Sequence, residues 1–348
     1  MSAPLRPRQR ALRLAAIAAA LGACAFALAW TTGIVGPARF GPDTLVDAMQ
    51  GGAEPRFPGF RRAHARGLCV EGTFLSEGAL GAYSTAQALA PGRTPLIGRY
   101  SIGGGNPAAP EAAAGVRSLA LVLTQADGQQ WRMAMNTPPV LAVGTPEAFF
   151  AQMQALAPDP ATGRPDPARV EAFFAAQPHA AAFRAWQASQ VPTDSFASTP
   201  VHGLHAFLLE DAEGRRQPVR FSLVPEAEAR PLGEGPHAED ALSAELVARL
   251  ASGPVRYRLE AVFAEPGDPI DDPSQAWPED RRRVAAGIVE LTAATPQAGG
   301  ACDGMNIDPT VLPTGIAPSA DPILAARASA YAESFRRRAR ETLTGATP

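Results

Sequence analysis

From Leu68 onward, apolar and polar residues alternate in short runs closed by Gly, Pro, Asp or Asn, the pattern of half-buried strands. It predicts strands over 68–75, 95–101, 117–124 and 129–134, the last two joined as a hairpin at Ala126-Asp127-Gly128. Between Pro146 and Ser189 the period changes. Phe149, Phe150, Phe173, Phe174, Phe183 and Trp186 fall at helical spacing, which predicts helices over 146–156, 167–176 and 179–189. Alternation returns at 202–209 and 217–223, is interrupted by a helical stretch at 239–252, and resumes at 255–264 and 284–292. Eight strands in two groups of four suit a closed sheet whose interior is just filled by its own side chains. The expected fold class is α+β, an eight-stranded antiparallel β-barrel with surrounding helices. Thr295 to Ala320 is Pro- and Gly-rich and aperiodic, a segment expected to wrap something. Asp321 and Pro322 are a good N-cap and first helical residue for a final helix over 322–343.

The N-terminus has a different pattern. Arg6, Arg8, Arg10 and Arg13 precede an uncharged apolar run over 14–35, roughly 22 residues and long enough to span a bilayer as a helix. Only Arg39 follows closely, so the positive-inside rule leaves the N-terminus in the cytoplasm and exports the body. Cleavage after Ala25, Ala27 or Ala29, or lipidation at Cys24 within Leu21-Gly22-Ala23-Cys24, are competing readings. The run is long for a cleaved signal and stays apolar beyond Cys24, which favours an anchor. The expected layout is a basic cytoplasmic tail (1–13), an anchor or signal segment (14–35), a linker (36–58) and one folded domain (59–348). The expected location is the inner membrane, crossed once, with the domain in the periplasm.

Composition narrows the chemistry. The chain has 348 residues, 46% apolar and 19% charged, enough to bury a sizeable core. All 31 basic residues are arginine, so a lysine Schiff base and a Walker-type phosphate loop are excluded. A net charge of −3 argues against nucleic-acid binding through bulk charge. The three cysteines, Cys24, Cys69 and Cys302, rule out a four-cysteine zinc site and an all-thiolate iron–sulfur cluster. The Cys69/Cys302 spacing fits no disulfide framework, so the sequence argues against a bridge.

Some residues point to a site. Arg327, Tyr331 and Arg338 share one face of the final helix, at offsets of about 40° and 20° from a common line. Ionising a tyrosine at pH 7 costs about 4 kcal/mol. A ferric ion with a guanidinium one turn away can supply that, and tyrosine is the axial ligand of one haem class. Taken alone, the same spacing also fits an ordinary amphipathic helix with solvated arginines. His64 lies among Arg61, Arg62 and Arg66, whose charges would hold its imidazole neutral and able to accept a proton. A surface basic loop is the plain alternative. Asn136 ends a strand where it can turn the chain or donate into a pocket. His202 and His205 read as core or rim residues. Gly103-Gly104-Gly105 reads as a wide turn, and Asp268, Asp271 and Asp272 as loop residues lacking the glycine and glutamate of a calcium hand.

Together these blocks resemble the haem-dependent catalase superfamily, and within it the small exported members described as catalase-related peroxidases. The likeness runs from about Arg56 to Arg340 and rests on separated motifs in order. They are His64-Ala65-Arg66-Gly67 with Gly72 and Phe74, Arg99-Tyr100-Ser101, Asn136-Thr137-Pro138, and Trp277-Pro278. Asp308-Pro309-Thr310-Val311-Leu312-Pro313-Thr314-Gly315-Ile316, Asp321-Pro322-Ile323-Leu324 and Arg327-Ala328-Ser329-Ala330-Tyr331 follow. The resemblance implies a catalase-type barrel and haem b, with Tyr331 as axial tyrosinate and Arg327 as its charge partner. It implies His64 as distal acid–base, oriented by Ser101, with Asn136 holding the peroxide. Arg61, Arg99 and Arg338 would pair with haem propionates, and Phe149 would pack on the distal side. The chain departs from the family at Ala63, Glu333 and Phe60.

The resemblance implies a peroxidase reducing hydrogen peroxide or small organic peroxides with a small organic reductant, with residual catalase activity. A hydroperoxide isomerase or dehydratase on the same fold, and a non-enzymatic membrane-tethered haem-binding protein, are the alternatives. The expected partners are peroxide, the reductant, the inner membrane through the N-terminal helix, and a second copy in a homodimer, with no nucleic acid.

Overall fold

The computed structural model describes residues 7–31, 41–50 and 57–345. Parts of the expected tail, anchor and linker, including Arg6, Arg39 and Arg56, lie outside the described residues. The chain divides into two compact units, Met1–Gly41 and Pro42–Pro348.

In the first unit, helix α1 (Pro7–Thr31) begins inside the basic stretch. Its segment Pro7–Leu28 is long and apolar enough to cross a membrane. Leu14, Ile17 and Leu21 are all exposed.

The second unit opens with helix α2 (Pro42–Gln50), in the stretch read as linker. Nine residues give too few turns for periodicity to stand out, yet Leu45 and Val46 are buried. Among the described residues ten strands follow: β1 (Gly67–Ser76), β2 (Gly92–Ile102), β3 (Arg117–Thr124), β4 (Gln130–Asn136), β5 (Val201–His202), β6 (Phe207–Glu210), β7 (Arg216–Pro225), β8 (Val255–Phe263), β9 (Arg283–Pro296) and β10 (Ile316–Pro318). Antiparallel pairings run β1-β2-β3-β4-β5-β7-β8-β9 and back to β1, an eight-stranded closed barrel. β6 and β10 extend β7 as a flap.

Alternation explains the filling. Leu68, Val70 and Phe74 of β1, Tyr100 of β2, Leu119 to Leu123 of β3 and Trp131 to Met135 of β4 turn every second side chain into one buried cluster. Trp131 packs edge-on against Phe221 at 5.1 Å and Phe74 at 6.4 Å. The run expected as one strand over 202–209 splits into β5 and β6. At Gly203 a Cβ would stand 2.9 Å from the Phe221 carbonyl oxygen, and beyond it the chain leaves the ladder at His205.

The helices are α3 (Pro146–Leu156), capped by Thr145, α4 (Pro167–Ala175), capped by Asp166, α5 (Ala181–Ser189), α6 (Ala241–Ser252) and α7 (Pro322–Leu343). Asp321 Oδ1 accepts the Ile323 and Leu324 amides at 2.8 and 3.2 Å, so the expected cap is made.

Contrary to the spacing argument, Cys69 and Cys302 form a disulfide, with Cα atoms 5.3 Å apart. It ties β1 to the aperiodic segment across 233 residues, a tertiary proximity that framework spacing does not encode. Closing so long a loop stabilises by about 2–5 kcal/mol. We expect Cys69→Ser/Cys302→Ser, or reduction of the unaltered protein, to lower Tm by roughly 5–15 °C in a thermal melt.

Candidate active site

Cross-strand partners share a face, and the register places Ser101, Ser118 and Asn136 side by side on β2, β3 and β4. Their neighbours Tyr100, Leu119 and Met135 fill the barrel interior. The polar row therefore lies on the outer wall, with Arg99 on the same face two residues before Ser101. His64 enters just before β1. It has φ +56°, the one left-handed non-glycine conformation among the described residues. Its loop is pinned from both sides: Arg99 Nη2 donates to the His64 carbonyl at 2.7 Å and the Ala65 carbonyl at 3.1 Å, and the Ala65 amide donates to Gly104 at 3.0 Å. Gly67 is what lets Arg99 in, because a Cβ there would stand 2.5 Å from its guanidinium carbon.

The imidazole reaches the polar row. His64 Nδ1 lies 3.2 Å from Ser118 Oγ and 3.4 Å from Ser101 Oγ, and Ser118 Oγ donates to Asn136 Oδ1. The His64 pKa is lowered to about 4, first by burial and then by the charges of Arg99, Arg327 and Arg61. The sequence anticipated the direction but only one of the three arginines. Arg62 is bound instead to Glu341, and Arg66 to Glu111 and the Ala109 carbonyl.

On α7, Arg327 Nη2 donates to Tyr331 Oη at 3.4 Å, and the guanidinium lies 5.7 Å from the ring centroid. Behind it stands His205, read from sequence only as core or rim. Asp321 Oδ2 takes His205 Nδ1–H at 2.6 Å, leaving His205 Nε2 to accept from Arg327 Nη1 at 2.8 Å. Burial lowers the His205 pKa to about 4, so the ring is neutral, as that acceptor role requires. Asp321 thus caps α7 with one oxygen and holds this chain with the other. No local signal announces it, since His205 and Arg327 are 122 residues apart.

Arg61 and Arg338 reach the same region. Arg61 Nη2 donates to the Cys302, Asp303 and Met305 carbonyls at 3.2, 3.3 and 2.8 Å, and Arg338 Nη1 to the Asp303 carbonyl at 3.5 Å. Arg61 Nη1 and Arg338 Nε are buried without a partner. Burial, and then the Arg338 charge, lower the Arg61 pKa to about 10. Arg99 is lowered likewise, with Arg61 the leading charge. Tyr331 is close enough to act on both Arg61 and Arg99 in the opposite sense. Arg99 is engaged by Gln297 and by the His64 and Ala65 carbonyls, so two of the three gathered cations keep an orphaned donor, and the cluster calls for anions such as the two carboxylates of a porphyrin. Phe149 is half-buried on α3, in the apolar cluster of Ala142, Val143, Phe173 and Ile323. A separate cavity of about 210 Å³, lined by Arg117, Thr137, Trp186, Gln190 and His202 among others, includes none of the expected site residues.

The aspartates resolve as loop fastenings. Asp268 pairs with Arg281, Asp272 holds Ser274 and Gln275, and Asp271 accepts the Ala320 amide. Glu333 is bound to Arg336 and Arg337.

His64, His202 and His205 are each lowered from 6.5 to about 4, so unfolding lets each take up a proton below pH 6.5. Their contribution is intact above pH 6.5 and is lost progressively as the pH falls towards about 4. We expect Tm, followed calorimetrically from pH 7.5 to 4.5, to hold above about 6.5 and to drop several degrees below it.

Residues 29–242 match the family model for catalase. The chain is 36% identical over 336 residues to a catalase-related peroxidase of Synechococcus elongatus, covering 96% of this chain and 97% of that one. It is 34% identical over 307 residues to a catalase-related peroxidase of Mycolicibacterium paratuberculosis, covering 85% and 94%. A solved bacterial catalase superposes with a TM-score of 0.72 at 20% identity, over 87% of this chain and 62% of its own. A fungal catalase gives 0.70 at 18%, over 87% and 64%. The chain thus spans under two thirds of the length of these solved catalases, and their likeness is one of fold.

Proposed function

The chain belongs to the catalase family, and from that premise we propose that it is a haem-dependent peroxidase. It reduces hydrogen peroxide or small organic peroxides with an organic electron donor, and retains residual catalase activity. The observation that supports this reading is the gathering of Arg61, Arg99 and Arg338, the first and last with an unpartnered buried nitrogen, where Arg61 and Arg99 act on both Tyr331 and His64. Those arginines would hold the propionates of haem b, Tyr331 would be its tyrosinate ligand with Arg327 as charge partner, and Phe149 would pack against it. When bound, the haem supplies the iron that takes up the oxidising equivalents of the peroxide.

The chain's own groups do the proton work. Asn136 donates a hydrogen bond that holds the peroxide, and Ser101 orients the His64 ring. His64 takes a proton from one peroxide oxygen and returns it to the other, so the O–O bond breaks with water as the leaving group. The two electrons that complete the cycle come from the organic donor or from a second peroxide.

The Cys69–Cys302 disulfide and the apolar helix Pro7–Leu28 support an exported domain, held in the periplasm by an inner-membrane anchor. Disulfides persist in oxidising compartments and are rare where cytosolic reductants act. The test is the full-length protein purified in detergent. We expect a haem absorption spectrum and peroxide consumption that accelerates when a phenolic donor is added. A colourless protein, or one with haem but no peroxide consumption, rejects the reading.

A further inference from the structure

Ser118 stands at the middle of the outer polar row, 7% exposed, and carries no role in the mechanism above. A hydroxyl has one proton to give, while an amide oxygen only accepts. The bond from Ser118 Oγ to Asn136 Oδ1 therefore commits the serine's proton. Towards His64 Nδ1, at 3.2 Å, Ser118 can then only accept, so Nδ1 carries the imidazole hydrogen and Nε2 keeps its lone pair. With Asn136 Oδ1 occupied, the amide NH₂ is the end left to address a ligand. Ser101 Oγ also faces Nδ1, at 3.4 Å, on the far side of Ser118 from Asn136 in the strand register.

We propose that Ser118 is a positioning residue that links His64 and Asn136 into one hydrogen-bonded chain and fixes the tautomer that leaves Nε2 free as the base. It makes the proton acceptor and the peroxide-holding amide a single pre-set unit, built on the β2–β3–β4 register. The inference rests on the roles given to His64 and Asn136 above.

The test compares the full-length holoprotein with its Ser118→Ala, Ser118→Thr, Asn136→Ala and His64→Gln forms. Two quantities are read: the dissociation constant of cyanide by absorbance, and the rate of the first reaction with hydrogen peroxide across pH. Cyanide enters as the neutral acid and must hand its proton to a distal base, so its affinity reports the free nitrogen without turnover. We expect Ser118→Ala to weaken cyanide and slow the peroxide reaction about tenfold each, and Ser118→Thr to recover most of both. In an Asn136→Ala background, Ser118→Ala should cost much less, because the two residues act through one bond.

Values for Ser118→Ala within about twofold of the unaltered protein overturn the proposal. So does equal impairment of the Ala and Thr forms with a matching fall in Tm, which marks a packing role. If the unaltered protein does not react with peroxide, or His64→Gln changes neither readout, the proposed function has failed and this inference falls with it. If His64→Gln is crippled while Ser118→Ala is not, the Ser118 inference alone is refuted.

Discussion

Tyr331→Phe is expected to purify folded but without haem, lacking its absorption band and all peroxide turnover. Within the fold the substitution is small. Phenylalanine keeps the ring that Arg327 faces at 5.7 Å, and only the 3.4 Å bond from Arg327 Nη2 is lost. One such hydrogen bond is worth about 1 kcal/mol net, so the melting profile should barely move. A haem held as proposed, by contrast, would lose its anionic oxygen ligand. Arg327→Leu separates the two effects, since it keeps the phenol but removes the guanidinium that donates to it. Without that hydrogen bond this variant should bind haem weakly and with a shifted spectrum. Haem content by extraction, the absorption spectrum and circular dichroism decide the matter. A Tyr331→Phe protein with full haem content and an unchanged spectrum would remove the phenolate from the account.

The same helix shows what a sequence can disclose. α7 was legible at both ends because its signals are local: a capping aspartate, a proline at the first position, and a spacing that aligns Arg327, Tyr331 and Arg338. Seven of the eight barrel strands are legible for a similar reason, since a strand buried on one side must alternate, while the two-residue β5 is too short to show it. What escaped depends on pairs far apart in the chain. His205 looked like a core residue, and it is one, at 2% exposure, yet its two nitrogens join Asp321 to Arg327. Ser118 is an ordinary strand serine until the register sets it between Ser101 and Asn136. The Cys69–Cys302 bridge joins residues whose spacing carries no code. The depressed His64 pKa was foreseen from the neighbouring Arg61, Arg62 and Arg66. Its main causes are burial and two arginines from distant elements, Arg99 and Arg327. Local charge density gave the right sign through a partly wrong set of groups.

Replacing His64 should have the largest kinetic effect among variants that retain haem. Positioned general acid–base groups contribute about 10²–10⁴-fold, and a loss in that range is expected for His64→Gln in the first reaction with peroxide. Glutamine is preferred to alanine because it keeps a polar side chain of comparable reach while removing the titratable imidazole. The pH profile adds a second constraint. The working form is the neutral imidazole, so the rate should stay level from pH 7 down to about 5 and fall only near the lowered value of about 4. An unperturbed histidine would lose half its activity at about 6.5. Arg99→Gln removes the charge that ranks next after burial in lowering the pKa, so its acid limb should move upward, towards 6.5. Propionates bound at Arg61 and Arg99 would offset part of that repulsion, which makes the shift between the two proteins more telling than either midpoint. A limb that stays in place in Arg99→Gln, or a His64→Gln rate within threefold of the parent, would assign the proton transfer to another group.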